Sequence, residues 1–544
     1  MTSQPQLDAR PFAAAGARAG LLAAGPLASG IGPAMLDRLV QLVTLDPGEH
    51  ERIPVRAPYT GELLGEIPRA TPADVAEGVR RARAAQPAWA AGGVRERARV
   101  ALRFHDLLLD RRDQALDLIQ LESGKARAHA LEEVLDTAIV ARHYATHAGR
   151  YLRPRRHRGA LPLLTDTREL HHPLGVVGVI APWNFPLLLS ITDLVAALMA
   201  GNSAVLCPDV QSSFTALWAA ELLHEAGLPR DVLAVVTGGG RELGPQLVEG
   251  VDFVMFTGST RTGRVVARLA AERLIGVSLE LGGKNPMLVL ADAELERAVD
   301  GAARGAFVGA GQVCLSIERV YVHESLYDDF AARLAERARS LRLGAALDYS
   351  AEIGSMTTER QLAATEAHVR DALDKGATLL AGGRRRPDVG PLFFEPTVLA
   401  GVRPGMTLHD EETFGPVVAL YPVASDDEAV QRANASRYGL NASVWSRRAR
   451  HAARVARRLR TGTVNVNEPY AAAWMSTHAP VGGMKESGLG RRHGAEGILK
   501  YTETQTIAAQ RGLPLAPPSF MAPQRYAEVM TRLVRLMSRV PGLR

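Results

Sequence analysis

Cysteine is the rarest residue of this chain: Cys207 and Cys314 are the two present among 544 residues. That excludes a disulfide framework and a cysteine-based zinc or iron–sulfur site. Such sparing use fits a reducing compartment, and the cytoplasm is the expected location. Long apolar runs are also missing. The most apolar stretch, residues 174–199, is interrupted by Asn184 and Asp193 and by two prolines, Pro182 and Pro186, so no integral membrane segment is expected. Charge of one sign is not in excess: 64 Lys and Arg against 58 Asp and Glu leave +6, which argues against a nucleic-acid partner. What is present is ordinary globular composition, with 47% apolar and 22% charged residues. At about 150 residues per domain, the length implies two to four folding units.

The ends of the chain differ from its middle. Residues 1–32 are rich in Ala and Gly, with Arg10 and Arg18 but no apolar signal core, and read as a disordered tail, with a transit peptide as the alternative. From Gln524 onward, Tyr526, Val529, Met530, Leu533, Met537 and Val540 share one helical face. Packing on the protein's own surface is the expectation; lying on a membrane surface is the alternative.

Between the ends, 72–86, 94–122 and 130–147 read as helices. The arginine-rich segment 150–158 follows, an exposed arm by its proline and charge. From Gly175 short apolar runs alternate with helical segments, the pattern of an open parallel sheet covered on both faces, whose ligands bind at the carboxyl ends of its strands. A second alternating region begins near Pro286. The fold class is therefore α/β, with two sheet domains.

Four segments carry candidate chemistry. Cys314 follows the small residues Gly309, Ala310 and Gly311, which leave room beside a thiol. Asn184 is set in PWNFP at 182–186, where its amide can donate to an oxyanion. Glu280, in LELGG at 279–283, is a carboxylate at a strand end whose apolar surroundings raise its pKa toward that of a base working near neutrality. FTGSTRTG at 256–263 runs from a strand into a helix, where backbone N–H groups and a hydroxyl can meet a pyrophosphate. His143 and His147 have metal-ligand spacing, but no third ligand is evident nearby in sequence. Surface histidines and no metal are expected.

These segments, with AGQVC at 310–314, EETFGP at 411–416 and PVGGMKESGLGRRHG at 480–494, occur in an order that resembles the aldehyde dehydrogenase superfamily over about residues 60–509. Within it the chain looks most like an actinobacterial branch of second-type succinate-semialdehyde dehydrogenases. The resemblance implies a Rossmann-type cofactor domain (46–153 and 171–281), a catalytic domain (282–483) and a small β oligomerisation arm (154–170 and 500–511). A tail (1–45) and an amphipathic extension (512–544) flank them, and a homodimer or homotetramer is implied. It also implies oxidation of an aldehyde to an acid by NAD or NADP, with succinate semialdehyde as substrate and another aliphatic or aromatic aldehyde as alternative. Cys314 would be the nucleophile, Asn184 the oxyanion donor and Glu280 the base for hydrolysis. Pro182, Trp183, Cys207, Asp209, Gly258, Ser259, Gly263, Leu281, Glu412 and Phe414 would bind the cofactor. Lys284 and Arg491 are matched positions that fit structural ion pairs equally well.

Departures from the pattern cluster at two places. Cys207-Pro208-Asp209-Val210 stands where the superfamily has Lys-Pro-Ser/Ala-Glu, so a cation near the adenosine ribose is lost; Arg241 is a possible substitute. Asp193 and Val308 occupy positions where succinate-semialdehyde enzymes often carry arginine; Arg304 and Arg261 are candidate replacements. A non-catalytic, cofactor-weakened scaffold is the competing class.

Overall fold

The computed structural model describes residues 27–161, 164–511 and 515–539. Its first large sheet has six strands, in the order Gly488–Leu489, Gly276–Glu280, Phe253–Thr257, Val176–Ile180, Ser203–Cys207 and Leu233–Val235. Runs such as Phe-Val-Met-Phe-Thr are buried along their whole length, as strands covered by helices on both faces must be. From Val176–Ile180 the chain builds outward to Leu233–Val235 on one side, then returns to add Phe253–Thr257 on the other. That reversal opens a crevice at the carboxyl ends of the strands, and Pro182-Trp183-Asn184 follows the central strand directly into it.

The second sheet has seven strands, ordered Thr378–Ala381, Thr397–Ala400, Val417–Val423, Ile317–His323, Asn285–Val289, Ser443–Trp445 and Asn465–Val466. A third sheet of three antiparallel strands joins Arg155–Arg158, Thr165–Pro173 and Thr502–Gln510. Its last strand is exposed from Glu503 to Gln510.

Five local expectations need correction. The first sheet is not wholly parallel, because Gly488–Leu489 pairs antiparallel with the strand that ends in Glu280. The second sheet likewise has an antiparallel edge at Thr378–Ala381. The span 94–122 is two helices, Gly93–Asp110 and Arg112–Ser123, broken at Arg111, whose ψ of 25° leaves the helical range. The expected tail contains the helix Pro33–Val40, whose Met35, Leu36, Leu39 and Val40 are buried against the helix Ser213–Glu225; residues 1–26 lie outside the described residues. The helix Pro523–Met537 covers its expected face only in part: Tyr526, Met530, Leu533 and Met537 are half-buried and no side chain is fully buried. Val529, Val534 and Leu536 are exposed, and of these only Val529 belongs to that face. Among the described residues, no helix is long and apolar enough to cross a membrane.

Candidate active site

A cleft of about 1000 Å³ runs along the carboxyl edge of the first sheet and ends at Cys314. Its wall includes Pro182, Trp183, Cys207, Asp209, Gly258, Ser259, Leu281, Glu412 and Phe414. Gly263 is not among the wall residues: it sits behind, where a Cβ would strike the Leu281 side chain, so its role is to let the helix approach the strand. Ser259 caps the helix Thr260–Glu272 by accepting from the Thr262 N–H, leaving that helix's first turn facing the cleft. A helix N-terminus beside a long crevice fits a pyrophosphate, so the residues present suit a dinucleotide.

Around the far end, Cys207 is buried and uncharged; burial pushes its thiol up to about 12. Burial also raises the Asp209 carboxyl, which accepts from the Gln211 N–H. Arg241, Arg261 and Arg360 line the same cleft. Near Cys314, Glu412 is raised to about 8 by burial and by Glu318, and accepts from the Gly283 N–H at 2.9 Å. The Phe414 ring meets Trp183 edge-on, with centroids 5.6 Å apart. Phe414 has a positive φ of 54°, held there by the Glu318 carboxylate, which accepts from the Thr413 and Phe414 N–H groups. Lys284 forms a buried ion pair with Glu318, the structural reading of that lysine. Arg491 forms no ion pair among the described residues and donates to the carbonyls of Gly483 and Gly490.

The thiol itself is positioned by an unusual turn. Gly309, Ala310 and Gly311 all have positive φ, from 54° to 71°, and a Cβ on Gly311 would run into the Gly415 carbonyl. Small residues here are a steric requirement. Asn184 is buried and its Nδ2 donates to the Gln312 carbonyl at 2.9 Å, on the loop that carries Cys314. Glu280 is buried, its Oε1 has no hydrogen-bond partner, and burial raises its carboxyl to about 7. Burial and the Glu280 and Glu412 carboxyls push the Cys314 thiol up to about 12, so it rests protonated near neutrality.

Two buried ionic clusters that no local pattern announced support these groups. Lys125 pairs with Glu133 at 3.0 Å and donates to the Asn184 carbonyl at 2.7 Å, while Glu133 accepts from the Leu187 and Leu188 N–H groups. Asn184 is thereby fixed from behind. Asp193, read from sequence as a missing arginine, is an ion-pair centre: it meets Arg492 at 2.6 Å, Lys500 at 2.8 Å and the Tyr501 hydroxyl at 2.8 Å. Lys500 also donates to Ser278 and Arg492 to Thr257, on the strands beneath Glu280. These two cations pull the Glu280 pKa down against burial, and Asp193 pushes it up. Burial wins.

On the opposite side of Cys314 lies a smaller chamber of about 50 Å³, walled mainly by Phe185, Leu188, Val313, Leu315, Tyr470 and Trp474. Its two acids are engaged, Asp136 by the Trp474 indole N–H and Glu132 by the Tyr470 hydroxyl. Val308 belongs to the same apolar cluster. Arg304 lies over the Tyr470 ring, bound to Glu132 and Glu468.

A thiol placed between a dinucleotide-sized cleft and a smaller, mainly apolar chamber is the build of a nicotinamide-dependent oxidoreductase that works through cysteine. The chain belongs to the Aldehyde dehydrogenase family, which it matches over residues 45–507. It is 50% identical over 509 residues, 94% of this chain and 98% of the relative, to a Mycolicibacterium smegmatis protein provisionally named succinate-semialdehyde dehydrogenase, NADP(+). It is 38% identical over 466 residues, 83% of this chain and 91% of the relative, to a phenylacetaldehyde dehydrogenase of Pseudomonas fluorescens. Among solved structures, an NAD-dependent aldehyde dehydrogenase from Sinorhizobium meliloti superposes with a TM-score of 0.83 at 37% identity, covering 88% of this chain and 94% of that one.

Proposed function

We propose that this protein oxidises an aldehyde to a carboxylic acid with Cys314 as nucleophile, Asn184 as oxyanion donor and Glu280 as base. The observation that carries this reading is the meeting of Cys314, Glu280 and Asn184 where the long cleft joins the apolar chamber. With a pKa of about 7, Glu280 is part ionised at neutrality and can take the thiol proton as sulfur adds to the carbonyl carbon. The Asn184 amide and the Cys314 N–H receive the oxyanion. The nicotinamide, when bound, supplies the hydride acceptor. Loss of hydride leaves a thioester on Cys314; once Glu280 has shed its proton through the cleft, it takes another from the water that hydrolyses that thioester. Pro182, Trp183, Leu281, Glu412 and Phe414 border the nicotinamide end, while Gly258 and Ser259 contact the pyrophosphate. Cys207, Asp209 and Arg241 lie at the adenosine end, where Arg241 offers a 2′-phosphate the charge that Cys207 lacks.

Succinate semialdehyde is the substrate suggested by the relatives at about 50% identity. A second reading, an apolar aldehyde, rests on the chamber: its wall carries no basic residue. Reduced-cofactor formation with succinate semialdehyde and phenylacetaldehyde, each with NAD and NADP, separates the two. Cys314→Ala abolishes the reaction with all; unchanged activity in that variant would falsify the mechanism. The exposed strand Thr502–Gln510 supports a dimer or tetramer paired through this arm, in the cytoplasm where both thiols stay free.

A further inference from the structure

His143 and His147 lie one turn apart on the helix Arg127–Tyr151, and their rings stack with centroids 4.7 Å apart. His478, on the loop after Trp474, closes the group: its ring stands edge-on to both, at 4.6 and 4.7 Å. One nitrogen from each ring lies within 4.8 Å of the others. This corrects the expectation of two surface histidines without a third ligand. His143 is buried, at 4% exposure, and its Nδ1 has no hydrogen-bond partner.

We propose that His143, His147 and His478 form a site for a divalent transition metal of the zinc type, with its fourth position open to solvent. The His147 and His478 Nε2 atoms are 3.2 Å apart. In a tetrahedral site with Zn–N bonds of about 2.0–2.1 Å, two ligand nitrogens stand about 3.3 Å apart, so these atoms already span an edge. The His147 Nδ1 lies 3.0 Å from the His143 carbonyl and donates to it, which leaves the Nε2 lone pair free to bind metal. The three rings border a pocket of about 180 Å³ whose wall contains no carboxylate. Neutral imidazoles without carboxylates suit zinc, nickel, cobalt or copper and disfavour magnesium and calcium. Arg142 also borders the pocket, but it is exposed and free to turn outward. The site would clasp the helix to the segment leading to Arg492 and His493, since the Gly494 N–H donates to the Thr477 carbonyl beside His478.

The test uses full-length, tag-free Cys314→Ala protein, so that metal cannot bind the reactive thiol. After chelation and dialysis, zinc chloride is titrated by calorimetry and cobalt chloride by visible absorption. One equivalent with a tetrahedral cobalt spectrum is expected. Changes outside the ligand shell alone weaken metal sites about 10–100-fold, so His478→Ala and His147→Ala should each lose at least about tenfold in affinity. His478 is exposed, and circular dichroism checks that both variants fold. No binding by the parent protein, or equal binding by parent and variants, overturns the proposal.

Discussion

Replacing Asp193 with Asn tests the electrostatics beneath Glu280 without changing side-chain size. It removes the one carboxylate that pairs with both Arg492 and Lys500, which remain buried. Breaking a buried ion pair from one side costs about 3–5 kcal/mol. Because Asn can still accept a hydrogen bond, the expected loss is near about 3 kcal/mol. The ordinary exposed pair Arg38–Glu221, with Arg38 at 59% exposure, calibrates the experiment, since its loss costs less than about 1 kcal/mol. The cations hold the Asp193 carboxyl below its usual 3.8. Its contribution is therefore fully present above that pH and is lost as pH falls through the lowered folded value. The difference between wild type and variant should persist across the neutral range and narrow only in strong acid. A second consequence concerns turnover. Asp193 pushes the Glu280 pKa up while Arg492 and Lys500 pull it down, so removing the Asp193 charge lets Glu280 ionise at lower pH. The acidic limb of the turnover profile, expected near pH 7, should move downward. Urea unfolding followed by fluorescence, and a pH series of steady-state rates, measure the two effects. A variant with unchanged unfolding and an unshifted acidic limb would refute the placement of Asp193 in this network.

Glu280→Gln should slow the first burst of reduced cofactor, because the Cys314 thiol then lacks its base, and should lose steady-state turnover with its rise of rate through about pH 7; an unchanged burst and full turnover in stopped-flow and steady-state assays would count against Glu280 as base. Arg241→Ala should weaken NADP binding by roughly tenfold while leaving NAD nearly unaffected, as fluorescence titration would show; equal losses for both would remove Arg241 from the 2′-phosphate. Gly311→Ala should destabilise the protein strongly, because φ is 71° and the new Cβ meets the Gly415 carbonyl, whereas Gly244→Ala, with nothing within 4 Å, should be neutral or stabilising by about 0.5–1 kcal/mol. Comparison of their melting temperatures checks both.

Much of the site was legible in sequence because its parts are local. PWNFP, FTGSTRTG and LELGG each place a group at a strand end, where the backbone direction is set by the strand itself, and all three open onto one cleft. The central strands of both sheets were legible because continuous apolar runs have no stable alternative to burial on both faces, whereas the short strands Thr378–Ala381, Thr397–Ala400, Ser443–Trp445 and Gly488–Leu489 carry too little pattern to be read. Gly263 lies behind the cleft wall, against the Leu281 side chain, because its motif marks a close approach but not which side of the helix faces the cleft.

Composition, motif order and apolar periodicity by themselves determined the α/β class, the family and the candidate nucleophile, since each depends on residues adjacent in the chain. Only the tertiary structure decided that Asp193 pairs with Arg492 and Lys500, that Glu133 and Lys125 hold the Asn184 loop, and that His478 joins His143 and His147 from more than three hundred residues away. It also decided that the helix Pro33–Val40 is core while the apolar face of the helix Pro523–Met537 is no more than half-buried. Both have apolar stripes, and a stripe states that a face wants burial without stating whether the rest of the chain supplies a matching surface.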